Sequence, residues 1–254
     1  MKITAVVLSK NEAKNITQCL RNLDFCDEKI VVDDNSDDET VSLAEKSGAK
    51  VFTRSLGKDF AAQRNFGLEK ASEDWVLFID PDERVSNELR DEILEILKNP
   101  FSNTIGYFLK RKDFVGQKEI KHGEGGENYK LRLAKKDAGT WRRRVHEYWN
   151  IKGEKAYLKG ILRHYPYQTL NKFFSRINFY SSLHARANHE EGKHSSLIKI
   201  IFWPIFKFIK SYFFKLGFLD GTEGFLLATF MGFHSFLSWS KLWIIEKNFG
   251  FPKK

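Results

Sequence analysis

The sequence predicts an α/β protein, a Rossmann-like mixed sheet flanked by helices, followed by a C-terminal amphipathic helical region. Three observations carry that expectation. Short β-branched apolar runs alternate with helical patterns over roughly the first hundred residues, strand-like pieces fill residues 105–165, and the phenylalanines crowd toward the C-terminus.

Ile3–Leu8 and Lys29–Val32 are short and apolar, and each is followed by polar turn residues and a helical pattern. This is how buried parallel strands read in a βαβ arrangement. Ser36-Asp37-Asp38-Glu39 has the spacing of a capping box and Ser47-Gly48 supplies a stop, which predicts a helix over Asp38–Lys46. Val51-Phe52 is a third strand, Asp59–Ala71 a helix, and Trp75–Ile79 a fourth strand that ends in Asp80-Pro81-Asp82-Glu83-Arg84. From Ser86 as N-cap, the spacing of Leu89, Ile93, Ile96 and Leu97 predicts an amphipathic helix that closes near Asn99-Pro100. The rhythm then changes. Ile105–Leu109, Tyr129–Leu133 and Tyr157–Leu162 are strand-like, separated by polar stretches such as Gly123-Glu124-Gly125-Gly126.

Thr169–Glu191 reads as a helix with Phe173, Ile177, Tyr180, Leu183 and Ala187 on one face. Residues 197–216 are apolar but interrupted by Lys199, Lys207, Lys210 and Lys215, and no acid lies between Glu191 and Asp220. At about 100° per residue, Lys199, Lys207 and Lys210 share roughly a quarter-turn arc. With Pro204 inside it, such a helix suits the headgroup plane of an anionic membrane better than a span; the bland alternative is a helix packed on the main domain with its lysines in solvent. Phe225–Ser240 is a weaker spanning candidate, diluted by His234. The expected division is residues 1–165, with halves meeting near residue 100, and a helical region over 166–254.

A chain of 254 residues buries a sizeable core as one large domain or one with an appendage. Cys19 and Cys26 stand alone, without zinc spacing, so neither a disulfide scaffold nor a metal knuckle is expected and a reducing compartment fits. Met1-Lys2 leads directly into an apolar run too short for a signal peptide, which places the expected location in the cytoplasm, peripheral on the inner face of the membrane. A net charge of +9 points to anionic phosphates as partners. No RNA-binding aromatic signature or helix-turn-helix is visible, so nucleic acid is not expected.

Asp80 and Asp82 project from the carboxyl end of a buried strand, where a phosphate-bound Mg²⁺ or Mn²⁺ needs oxygen ligands; a solvated turn is the alternative. Asp33 and Asp34 end the second strand. A carboxylate there accepts from a pyrimidine imide or ribose hydroxyl, or simply places charge before the next helix.

Taken in order, Ile3–Glu12, Val31–Thr40, Ala62-Gln63-Arg64-Asn65 and Phe78–Glu83 closely resemble the family 2 glycosyltransferases of GT-A fold, over about residues 1–110. Arg142-Arg143-Arg144-Val145-His146-Glu147, Ile161-Leu162-Arg163-His164 and Gly217-Phe218-Leu219-Asp220-Gly221 look most like the bacterial enzymes that add a hexose to the lipopolysaccharide inner core.

The resemblance implies a metal-dependent, inverting transfer of a hexose, glucose first among candidates, from a UDP-sugar to a lipid-linked saccharide acceptor. Polyprenyl phosphate is the runner-up acceptor, and a non-enzymatic basic membrane- or nucleic-acid-binding protein is the reading from another class. Ser9, Asn11 and Glu12 would border the nucleobase pocket, with Asp33 beside Asp34, which would hold the uracil. Lys10 stands where the family often has an aromatic residue. Arg64 matches a basic position whose guanidinium forks onto base or phosphate oxygens. Asp80 and Asp82 match the metal motif, with Asp82 as direct ligand to the Mg²⁺ or Mn²⁺ that bridges the diphosphate. Glu147, beside His146, is the candidate general base, against a structural salt bridge. His164 is either a third metal ligand or a structural histidine.

Overall fold

The computed structural model describes residues 1–99, 103–123, 128–144, 147–166 and 170–247. In chain order the elements are β1 (Ile3–Ser9), α1 (Ala13–Asn22), β2 (Glu28–Asp33), α2 (Thr40–Lys46), β3 (Lys50–Thr53), α3 (Phe60–Lys70), β4 (Trp75–Ile79), β5 (Glu83–Val85) and α4 (Asn87–Lys98). There follow β6 (Thr104–Val115), β7 (Lys118–Glu119), β8 (Asn128–Lys135), β9 (Gly139–Arg142), β10 (Tyr148–Ile151), β11 (Glu154–His164), α5 (Leu170–Glu190), α6 (Leu197–Ile209) and α7 (Gly221–Glu246). The chain divides into two compact units, Met1–Lys112 with Glu127–His164 and Asp113–Gly126 with Tyr165–Lys254.

In the first unit the sheet runs β3-β2-β1-β4-β8-β6-β11-β5. Strands β3, β2, β1 and β4 are mutually parallel, whereas β8 runs antiparallel to β4 and β6 antiparallel to β8, so the sheet is mixed as expected. The central stretches of β1, β2 and β4 are apolar on both faces because both faces are covered. Ala5 and Val7 join Leu77 and Ile79 in one cluster, while Val6 joins Val76 and Phe78 in the other. The register sets Ser9 beside Asp33 and Val7 beside Ile79, so β1, β2 and β4 end together at one edge. Asp59 and Ser86 cap α3 and α4, accepting from the amides of Ala62 and Leu89.

Helix α2 departs from its expected start. It begins at Thr40, and the Ser36 hydroxyl donates to Asp33 at 2.6 Å instead of capping. The buried Asp33 carboxylate needs donors, and Asp38 takes over at the helix start by accepting from the Thr40 amide at 3.0 Å. The short β5 and the β9–β10 ribbon, with Trp149 opposite Trp141, were not among the expected strands.

The second unit contains α5, α6 and α7, and the hairpin of β7 on the end of β6 belongs to it rather than to the sheet half in which the sequence placed it. The reason is buried Asp220, whose carboxylate accepts from the His122 amide at 2.8 Å and lies 3.1 Å from His122 Nδ1. At Gly224 an added Cβ would sit 1.9 Å from the carbonyl oxygen of Gly217, so this close approach requires glycine.

The lysine stripe takes a different orientation from the one expected. Lys199 and Lys207 are half-buried, and Lys199 Nζ lies 5.1 Å from the centroid of the Trp239 ring of α7 and 2.6 Å from the His194 carbonyl oxygen. The Lys199 side chain covers aromatic surface, a packing that periodicity alone does not reveal. Among the described residues no helix is long and apolar enough to cross a membrane, which includes the stretch Phe225–Ser240.

Candidate functional site

The ends of β1 and β2 are tied into one rigid rim. Ser9 Oγ donates to Asp33 Oδ1 at 3.0 Å, and the Ser36 amide donates to Asp33 Oδ2 at 2.7 Å. Asp33 is therefore an organiser of the loop. Asp34 is more open; its Oδ1 accepts from the Leu56 amide at 2.8 Å and its Oδ2 lies 3.7 Å from Lys10 Nζ. Asn11 has a positive φ of 53°, which its short polar side chain tolerates, and its Oδ1 accepts from the Asp37 amide at 3.0 Å. The Glu12 amide donates to Thr40 Oγ1 at 2.8 Å, and its carboxylate accepts from Asn15 Nδ2. Ser9, Asn11, Glu12, Asp33 and Asp34 are thus gathered at one sheet edge.

Asp80, at the end of β4, is held by two guanidiniums. Arg64 Nη2 donates to Oδ1 at 3.1 Å and Arg132 Nη2 donates to Oδ2 at 2.7 Å. Burial by itself would raise this carboxyl, but Arg132 and then Arg64 hold it well below the usual carboxylate range. Arg64 also reaches Glu147, with Nε donating to Oε1 at 3.0 Å, and its guanidinium carbon sits 4.7 Å from the centroid of the Trp141 ring. One buried arginine on α3 thereby joins the β4 end to the segment before β10. Nη1 of Arg64 and Nη1 of Arg132 are buried with no hydrogen-bond partner among the described residues.

Arg132 owes its position to an irregularity in the sheet. Tyr107 pairs with Leu133 but Phe108 pairs with Leu131, so Arg132 is skipped in the register and its side chain turns to Asp80. Beneath them Glu83 is fully buried, and its Oε2 accepts from the Asp80 amide at 2.9 Å. Burial, and then the Asp80 charge, push the Glu83 carboxyl upward. Arg84 Nη1 donates to the carbonyl oxygens of Pro81 and Glu83 at 2.7 and 2.6 Å, fixing the turn.

Pairing of β11 with β5 sets His164 opposite Glu83, and His164 Nε2 lies 3.7 Å from Asp82 Oδ2. Among the described residues no three His, Cys, Asp or Glu side chains group as a metal-holding set. Asp82 and His164 form a pair, while Asp80 gives an oxygen to each of two arginines. Arg142, Arg143 and Arg144 are exposed, with Arg144 Nε 3.7 Å from Asp59 Oδ2. Val145 and His146, the second catalytic candidate, lie outside the described residues. Cys19 is buried and its thiol is pushed up to about 12 by burial, which leaves it unreactive.

Sequence reasoning missed Arg132, Glu83 and Arg84. Glu83 and Arg84 stand inside the quoted acidic turn and carried a signal; Arg132 carried none beyond being an arginine between Leu131 and Leu133.

The glycosyl transferase family 2 model matches residues 4–165. The chain is 30% identical over 255 residues to an uncharacterized glycosyltransferase of Rickettsia felis, covering 95% of this chain and 89% of that protein. It is 28% identical over 254 residues to the lipopolysaccharide core biosynthesis glycosyltransferase LpsC of Rhizobium meliloti, covering 96% and 92%. Among solved structures, its backbone is similar to that of S. aureus TarS 1-349, with a TM-score of 0.48 and 16% identity over 98% of this chain and 91% of that one.

Proposed function

The chain belongs to glycosyl transferase family 2, and from that premise we propose that it moves a hexose from a UDP-sugar to a lipid-linked saccharide, with inversion, at the cytoplasmic face of a membrane. The observation that carries this reading is the bridge made by Arg64, which joins the acidic end of β4 to Glu147. The acceptor class is supported by the likeness to LpsC, a lipopolysaccharide core biosynthesis enzyme. The exposed Arg142, Arg143 and Arg144 suit an acceptor that carries phosphate.

In this reading Asp34 accepts from the uracil imide, and Ser9, Asn11 and Glu12 frame the base. Arg64 and Arg132 would each offer a spare Nη1 to the diphosphate oxygens, a use that fits two donors with no hydrogen-bond partner among the described residues. Asp82 and His164 would hold Mg²⁺ or Mn²⁺ through a carboxylate oxygen and an imidazole nitrogen. Bound there, the ion would supply positive charge against the negative charge developing on departing UDP. Glu147 accepts the proton of the acceptor hydroxyl as its oxygen bonds to the anomeric carbon. The bond from that carbon to the UDP oxygen breaks on the opposite face, and UDP leaves with the electron pair. Because Arg64 holds both Asp80 and Glu147, donor and base keep a fixed spacing.

Titration calorimetry with UDP and Mn²⁺ tests the donor half. The parent binds, and Asp34→Ala weakens binding by roughly 10- to 150-fold, the loss expected for a hydrogen bond to a charged group. Equal affinity in the two proteins would remove Asp34 from the base pocket, and no binding of UDP by the parent would overturn the UDP-sugar reading.

A further inference from the structure

The second unit carries a surface that the transfer reaction does not use. On α6, Ile198, Phe202, Ile205 and Ile209 are all exposed and fall within roughly sixty degrees of one another at about 100° per residue. The ridge continues into the turn after α6, where Phe213 and Phe214 are exposed, Phe214 at 77%. A soluble surface does not ordinarily gather its largest apolar side chains this way, and a contiguous patch of this kind marks an interaction site.

We infer that this ridge is a hydrophobic insertion face that seats the second unit in the acyl–headgroup boundary of an anionic bilayer. It rests on the reading of the acceptor as lipid-linked and names the part of the chain that would meet the lipid. Charge selects the occupant. From Gly192 to Leu219 there is no acidic residue, and Lys210 and Lys215 are exposed beside the ridge. Docking of two copies through this face would set like charges against each other at its rim, whereas anionic headgroups supply the missing counter-charge. Lys199, turned toward α7 and over Trp239, leaves the outermost arc of α6 wholly apolar. Anchoring by such a face is chiefly hydrophobic, with Coulomb attraction an addition at the rim.

Co-sedimentation of the full chain with phosphatidylcholine–phosphatidylglycerol vesicles tests this, at low salt and at about 1 M salt, where the Debye length is about 3 Å. The parent should sediment at both. Phe202→Ser/Phe214→Ser should reduce partitioning by about tenfold or more, as expected for withdrawing two large apolar side chains, while UDP binding stays at the parental value. Failure of the parent to sediment, or its complete release at high salt, would overturn insertion without recourse to any variant. A double variant that binds UDP and sediments like the parent would overturn it as well, as would a parent dimer that ignores vesicles and that the double substitution converts to monomer. Loss of transfer with vesicle binding intact counts against the enzymatic reading alone, so the two fail separately.

Discussion

Arg64 and Arg132 share Asp80 between them, and this triad explains how an acidic strand end is kept ionised in a half-buried setting. The Asp80 charge is matched on both oxygens, and Arg132 in turn is held strongly protonated: burial works against its charge, but Asp80 and then Glu83 outweigh it. Glu147 stands at the far side of the same network. Glu147→Gln should keep donor affinity and lower turnover by roughly 10² to 10⁴, the share of a general base, because the amide retains the shape but accepts no proton. Steady-state rates with calorimetric UDP binding check this; near-parental turnover would return Glu147 to a structural salt bridge. At this scale the strand-end acids were legible, since each terminates or follows a recognisable strand, whereas Arg64, inside α3, was reached through the family resemblance. Arg132 was not, because its place depends on a register slip between β6 and β8 that no local pattern announces.

Elements were legible where short-range rules decide. Buried strands β1, β2 and β4 read from short, mostly apolar runs, and α4 from its cap and spacing. Ser86 also shows why such a cap is worth testing, since its hydroxyl accepts from the Leu89 amide at 3.2 Å and from the Ile161 amide at 3.3 Å on β11. Ser86→Ala should lower stability by about 0.5–2 kcal/mol, read as a shift in the urea midpoint with unchanged slope. A midpoint equal to the parent's would show that neither bond contributes. Where tertiary partners decide, the pattern misled. Ser36 has capping-box spacing, yet Asp33 claims its hydroxyl. Lys199, Lys207 and Lys210 do share an arc, but periodicity cannot say which way each side chain turns: Lys199 lies over Trp239 of α7 while Lys210 stays exposed.

At the scale of the whole molecule, the pH dependence of folding has an identifiable contributor far from the chemistry. Glu28 is buried at the start of β2, and although burial raises its carboxyl, hydrogen bonds from Lys50, Thr4 and Ser72 bring it down to about 2. The folded value lies below the ordinary 4.5, so the stabilisation is present above that value and is lost as pH falls toward 2. Urea unfolding should therefore show the parent losing more stability between neutral and acid pH than Glu28→Gln does. Parallel acid limbs would exclude Glu28 as a source.

The functional account stands or falls on turnover. UDP release, measured over a panel of nucleotide-sugars with Mn²⁺ and a lipid-linked saccharide acceptor presented in vesicles, tests it most directly. The account predicts acceptor-dependent UDP formation from a UDP-hexose, abolished by chelation and by Asp82→Ala in a protein that remains folded. No UDP from any donor, or release that continues unchanged in Asp82→Ala, would contradict it.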